Sequence, residues 1–364
     1  MSPAAKKRSS TNKSKNRASR PVHKFLWALL GVSLLSLLVV GYELYQRVYK
    51  SNVSQQLAEE VTYLYIPTAS NYADVLELIQ AENLLQNLAS FEWVAQQLKY
   101  PEAVKPGRYR IEKRMSNFEL VKLLGSGRQE PVKLVINRFR SRHDFYAAIG
   151  RKLEADSTEI EAIFSDAVYL RSFGFTPEDA MAVIVPNTYE LYWNTNAQEF
   201  FERMWKEYKS FWTEDRKNKA TALGLNLVEV MKLAAIVDEE TNKDDEKGVI
   251  ARVYWNRLQM GMLLQADPTV RFAHQDFSIK RVTGKHLRLQ SPYNTYQVTG
   301  LPPGPICTPS QASIDAVLNS QPHSYLYFCA KEDFSGYHNF AITYPEHQKN
   351  ARLYQQALAK LNIR

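Results

Sequence analysis

Six carboxylates crowd the segment IVDEETNKDDEK: Asp238, Glu239, Glu240, Asp244, Asp245 and Glu246. A carboxyl at the end of an apolar run can do acid–base work if it is partly withdrawn from water. Burial disfavours its charged form and keeps the proton on near neutral pH. A solvated acidic turn, the commoner use of such a charge run, can do none of this. On a helix through 227–241, at about 100° per residue, Leu233, Ile236 and Val237 define one arc. Glu240 falls seven, four and three residues beyond them and continues that apolar ridge. Glu239 points about 100° away, toward solvent. Asp238 lies on the far edge of the buried face, above Met231 and Ala234. Asp244, Asp245 and Glu246 follow the break and suit the positive start of a second helix. Glu240 is therefore the candidate general acid, of the kind that glycosidic cleavage requires. The competing reading pairs it with Arg257, which shares a stripe with Ile250, Val253, Tyr254 and Leu258 on the next helix.

The elements that must hold this carboxyl follow from periodicity. Two helices, roughly 226–241 and 245–261, precede a long Pro-, Gly- and Tyr-rich stretch containing LLQADPTVRFAH and SPYNTYQVTGLPPGPICTPS. Such a stretch repays its ordering only by packing or by binding. QASIDAVLNS reads as a helix, SYLYFCA and YHNFAI as a strand pair turning at Asp333–Gly336, and HQKNARLYQQALAKL as a terminal amphipathic helix. Upstream, 141–223 is mainly helical. VIVPNTYELYW interrupts it as a packed strand or loop, or as an aromatic wall. Residues 61–138 read strand, helix, helix, strand and helix, closed by the strand PVKLVI. SNFELVKLLGSG carries Ser116 as N-cap, Glu119 three residues on and Gly125 at its end. The fold class expected is α+β.

The chain has 364 residues and a net charge of +8. Residues 1–24 hold eight basic residues and no acidic one, which leaves 38 basic against 38 acidic residues beyond them. The basicity belongs to a tail, so nucleic acid is excluded as the partner of the folded part. FLWALLGVSLLSLLVVGY, Phe25 to Tyr42, is uncharged and spans roughly 27 Å as a helix, enough to cross a hydrocarbon core. Trp27 and Tyr42 sit near its ends, as interfacial aromatics do. The following GYELYQRVYK offers no good cleavage site, which favours a retained anchor over a signal peptide. The basic flank keeps the N-terminus cytoplasmic. Cys307 and Cys329 form no disulfide framework; they are either a pair or two buried thiols. No cluster has metal-ligand spacing, and no HExxH, GxxxxGK or GxGxxG occurs, so no metal or cofactor is implied.

LAAIVDEETN, VIARVYWNRLQMGMLLQADPTV, SPYNTYQVTGLPPGPICTPS, YLYFCA and HNF follow in this order between Leu233 and Phe340. Together they resemble the endolytic murein transglycosylase, or YceG-like, family. VPNTYELYW resembles that family's Pro-x-Thr-tyrosine stretch. The resemblance implies a basic cytoplasmic tail (1–24), a single transmembrane helix (25–42), a stalk (43–60), a small LysM-like α+β module (61–138) and a mixed α+β catalytic domain (139–364, core 224–364). The catalytic domain then lies on the periplasmic side of the inner membrane. The family's catalytic Glu stands second in a motif such as I-[IV]-E-x-E-[TA]. That place is Glu240 here, and Asp238 replaces the first Glu. Where the family commonly has an acidic–glycine pair this chain has INRFRS, which leaves Asn137–Arg138 without an assigned role. Of the family's His-x-Phe only His338 carries over.

The reaction implied is cleavage of the MurNAc–GlcNAc β-1,4 bond within nascent glycan strands. Glu240 would protonate the glycosidic oxygen, then accept the proton of the MurNAc C6 hydroxyl as it closes a 1,6-anhydro ring. Gln265, Asp267, Tyr293, Asn294, Tyr296 and His338 are candidates for lining the glycan groove, by hydrogen bonding and by stacking. Asp267 can instead be a turn residue before Pro268, the tyrosines core packing, and His338 a structural histidine. Expected partners are peptidoglycan glycan strands, the inner membrane, and peptidoglycan synthases with division or elongation proteins. The alternatives are a hydrolase with Asp238 or Asp267 activating water, and a noncatalytic glycan-binding anchor.

Overall fold

The computed structural model describes Met1, residues 21–56 and residues 59–361; the basic tail from residue 2 to residue 20 lies outside the described residues. The chain divides into two compact units, Met1–Lys105 with Tyr109–Arg128, and Pro106–Arg108 with Gln129–Arg364.

The first unit contains α1 (Pro21–Tyr49), β1 (Val61–Ile66), α2 (Tyr72–Ala81), α3 (Leu88–Gln97), β2 (Gly107–Glu112) and α4 (Asn117–Ser126). Residues Lys24–Tyr49 are long and apolar enough to cross a membrane, and their most apolar 18-residue window is unburied. The helix extends past Tyr42 into the first residues of the expected stalk. It runs on to Tyr49 and docks on its own unit. Asn117 Nδ2 donates to Arg47 O at 2.9 Å, the Arg47 guanidinium lies over the Trp93 ring, and the Tyr49 and Phe118 rings sit 5.4 Å apart. β1 pairs with β2. Ile66, Val75, Phe91, Tyr109, Ile111 and Leu120 fill the core. Ser116 and Glu119 form the expected capping box on α4. The helix ends one turn position later than the sequence suggested: Gly125 stays helical, and Gly127 takes the left-handed φ of 71° that glycine tolerates.

The second unit opens with β3 (Val132–Ile136), α5 (Arg142–Gly150), α6 (Ser157–Ser165), α7 (Ala167–Arg171) and β4 (Asn187–Leu191). PVKLVI, expected to close the smaller module, instead pairs antiparallel with NTYEL, Leu134 opposite Tyr189. Its alternating side chains Val132, Leu134 and Ile136 need a core to face, and the second unit supplies it. Tyr189 and Leu191 turn inward, so this stretch is packing rather than an aromatic wall. Then follow α8 (Ala197–Phe211), α9 (Glu214–Ala222), α10 (Leu227–Glu240), α11 (Asp244–Gln259), α12 (Asp267–His274), α13 (Gln311–Leu318), the antiparallel pair β5 (Tyr327–Ala330) and β6 (His338–Ala341), and α14 (Tyr344–Lys360). α10 is the central helix, packed on α11, α12 and α13. An Asn226–Glu229 capping box fixes its start, and Val230 through Val237 are buried apart from Lys232.

Candidate active site

The three acids that close α10 have three different surroundings. Asp238 is buried. It accepts hydrogen bonds from Ser310 Oγ at 2.7 Å, from Ser313 Oγ and from Lys247 Nζ at 3.2 Å. Burial alone would raise its pKa, but the two serines and the Lys247 charge outweigh that and hold it below the usual carboxylate range. Glu239 does not point into water as helical phase suggested. Its side chain is 7% exposed, with Arg140 Nε 2.8 Å from one oxygen and Arg138 Nε 3.5 Å from the other. Both arginines come from INRFRS, in which the family resemblance left Asn137–Arg138 without a role. Arg138 also donates to Asp238 O at 2.8 Å.

Glu240 has no such cation clamp. It sits where α10 ends, before Thr241 turns the chain to an extended φ of −144°. Its Oε1 accepts from Tyr254 Oη at 2.6 Å. Burial lifts its pKa to about 7, reinforced by the charges of Asp267 and Glu239 and opposed by the Tyr254 hydrogen bond and the Arg271 charge. At neutral pH a substantial share of Glu240 therefore carries a proton.

Arg257 does not pair with Glu240. Its guanidinium binds Leu326 O at 2.6 Å, Leu264 O at 2.8 Å and Gln265 Oε1 at 3.2 Å. One side chain thus ties α11 to the segment before α12 and to the entrance of β5. The partner of Glu240 is Tyr254, one helical turn earlier, which read in the sequence as part of an apolar stripe.

Glu240 opens onto a cleft of about 480 Å³ whose walls include Gln265, Asp267, Tyr296 and His338. Asp267 Oδ1 accepts from Tyr296 Oη at 2.6 Å, and both burial and Asp267 raise the tyrosine pKa. Gln265 adopts a left-handed φ of 52° and donates its N–H to Thr295 O at 3.0 Å. His338 is held twice by Glu246, through its backbone N–H and through Nδ1, each at 2.9 Å. A carboxylate only accepts, so Nδ1 carries the proton there. The Phe328 ring meets Tyr254 and His338 edge-on, at 5.7 and 5.3 Å.

Two of the expected groove residues lie elsewhere. Asn294 is fully buried. Its Nδ2 donates to Leu287 O and Leu289 O, at 3.1 and 2.8 Å, and its Oδ1 accepts from Tyr296 N. It shapes the loop that presents Tyr296. The Tyr293 ring packs on Phe272 at 4.7 Å, outside the cleft lining. Tyr254, Arg271 and His347 also line the cleft and Glu246 holds His338, though none of the four was a groove candidate in the sequence. A hydroxyl within an apolar stripe was the available signal for Tyr254. Cys307 and Cys329 are both free thiols, Cys307 buried and Cys329 on the cleft wall.

Fold and cleft together define an α+β protein with one buried carboxyl of raised pKa among hydrogen-bonding and aromatic groups, equipment suited to a general-acid enzyme. The profile of the YceG-like family matches residues 64–353, and the chain belongs to that family. The endolytic murein transglycosylase of Bacillus subtilis (strain 168) is 26% identical over 308 residues, covering 79% of this chain and 83% of that protein. The protein of the same description from Streptococcus pneumoniae (strain ATCC BAA-255 / R6) is 25% identical over 330 residues, covering 82% of this chain but 58% of the longer relative. A crystal structure of a YceG-like protein from Listeria monocytogenes superposes with a TM-score of 0.51 at 26% identity, covering 80% of this chain and 98% of that one.

Proposed function

We propose that this chain is an endolytic murein transglycosylase, a lyase that cuts peptidoglycan glycan strands. The observation that carries the chemistry is Glu240, whose pKa near 7 lets it give and take a proton at physiological pH. Glu240 protonates the oxygen of the MurNAc–GlcNAc bond as that bond breaks. The resulting carboxylate, steadied by the Tyr254 hydroxyl, takes the proton of the MurNAc C6 hydroxyl. O6 bonds to C1, and a 1,6-anhydro end forms without water. One acid–base group suffices because the nucleophile belongs to the substrate, unlike the two-carboxylate arrangement of ordinary glycosidases. Tyr296, Gln265, Asp267 and His338 bind sugar hydroxyls and acetamides along the cleft; Tyr293 and Asn294 support the loop from behind.

The helix through 24–49 anchors the chain in the inner membrane, with the N-terminus cytoplasmic and the cleft on the periplasmic side. The first unit beyond that helix serves as a LysM-like module that holds glycan. Strands still being synthesised are the substrate, which would bring the enzyme near peptidoglycan synthases and the division or elongation machinery.

The test is digestion of uncross-linked glycan by the full chain in detergent, beside Glu240→Gln, with mass spectrometry of the ends. Anhydro ends, 18 Da lighter than hydrolysed ones, are expected from the wild type and absent with the variant. Hydrolysed ends would replace this reading with a hydrolase in which Asp267 activates water. Full cleavage by the variant would remove Glu240 from the chemistry.

A further inference from the structure

The cleft wall carries a guanidinium that the fold leaves uncommitted. Arg138 and Arg140 are engaged by Glu239, and Arg257 is engaged by backbone carbonyls. Arg271 differs. It lies one turn beyond Asp267 on α12, so the two share a face, and both line the cleft with Glu240. An i,i+4 ion pair would be the ordinary outcome, yet Asp267 Oδ1 is taken by Tyr296. Among the described residues Arg271 forms no ion pair. It makes one long hydrogen bond, from Nη2 to Lys280 O at 3.4 Å, and its Nε is buried with no partner. An unpaired, partly desolvated guanidinium is costly to hold. Its planar fork of donors matches a carboxylate.

We propose that Arg271 is a carboxylate-binding subsite, holding an acid group on the lactyl arm of the MurNAc unit whose linkage Glu240 protonates. The acid group is either the lactyl carboxylate itself, where the arm is bare, or a carboxylate of the peptide attached to it. This rests on the transglycosylase reading above. The subsite couples binding to chemistry. Within the cleft the Arg271 charge works against the proton on Glu240, alongside the Tyr254 hydrogen bond, while Asp267 and Glu239 work for it. A carboxylate seated on Arg271 cancels the opposing charge, so the acid is best held when the proper substrate is in place. Asp267 repels the same carboxylate, and its Tyr296 hydrogen bond tempers that repulsion.

The experiment compares wild type, Arg271→Gln and Arg271→Lys as full chains in detergent. Three uncross-linked glycans are used: strands with peptides intact, strands stripped to bare lactyl arms, and strands whose carboxyls have been converted to amides. The readout is kcat/KM for anhydro ends. Arg271→Gln should lose roughly tenfold to a hundredfold on acid-bearing strands, as for a lost charged hydrogen bond, and little on the amidated strands. Arg271→Lys should keep part of the rate on acid-bearing strands, since it keeps the charge without the fork. Loss confined to intact strands assigns the peptide carboxylate; loss confined to stripped strands assigns the lactyl one. Equal loss on all three strands, amidated ones included, overturns the subsite, and so does no loss on any. If the wild type cleaves none of them, the enzymatic reading itself falls and takes the subsite with it.

Discussion

The Tyr254 hydroxyl lies 2.6 Å from Glu240 Oε1, reaching from the middle of α11 to the last residue of α10. That contact engages one of the two carboxyl oxygens of Glu240. It also biases the acid toward its ionised form, against the burial that favours the proton.

Removing that bond should therefore make Glu240 a weaker acid. In Tyr254→Phe the alkaline limb of the pH–rate profile of kcat/KM should move up by about one unit, with a lower maximum rate. An unmoved limb would mean that the hydroxyl only packs.

Asp267 acts in the opposite direction, since its charge helps keep the proton on Glu240. Asp267→Asn should move the same limb to lower pH, so that activity at pH 7.5, measured as anhydro ends formed, falls more than at pH 6. Equal losses at both values would count against an electrostatic role.

The shift on Glu240 is also a stability statement. Its folded pKa of about 7 lies above the ordinary carboxylate value of 4.5. The stability linked to that proton is full below about pH 4.5 and is lost as pH rises through 7, at up to roughly 1.4 kcal/mol per unit. Glu240→Gln cannot ionise, so its Tm relative to wild type should climb between pH 5 and pH 8. Cleavage by the variant should fall by about 10² or more. A Tm difference that stays flat across this range would contradict the buried proton.

Asp238 and Lys247 form the opposite case, a buried carboxylate that stays ionised. Lys247→Met should destabilise the fold by about 3–5 kcal/mol by removing the nearer of that charge's two cations, Arg138 Nη1 standing at 3.8 Å, read from thermal or urea unfolding. The pKa of Asp238 is depressed, so its contribution is present above the ordinary carboxylate range and disappears as pH falls through the lowered value. A loss below 1 kcal/mol would show that Ser310, Ser313 and Arg138 suffice without Lys247.

Glu240 was legible because its position depends on one helix: a carboxyl on an apolar ridge is visible in periodicity. The boundaries of α10 and α11 followed from the same pattern, and so did the β5–β6 pair. Glu239 was misjudged because its environment is set by Arg138 and Arg140, about a hundred residues upstream in the chain. Helical phase gives a direction, and only tertiary structure says what waits there. PVKLVI was correctly a strand, but its partner β4 could not be read from alternation, which two candidate cores satisfied equally. Asn294 and Tyr296 sit two residues apart in the same Tyr-rich loop, yet one is swallowed by backbone carbonyls and the other faces the cleft. Loop residues lack a period, so no spacing rule separates them.

The unbroken run of α1 into the smaller unit has a mechanical corollary. With Arg47 and Tyr49 already bolted to Asn117, Trp93 and Phe118, no swivel lies between the apolar span and the body that follows it. A thinner bilayer that makes such a span lean would lean that body by the same angle. Were the span seated in a bilayer, the thickness of that bilayer would set the tilt of the unit.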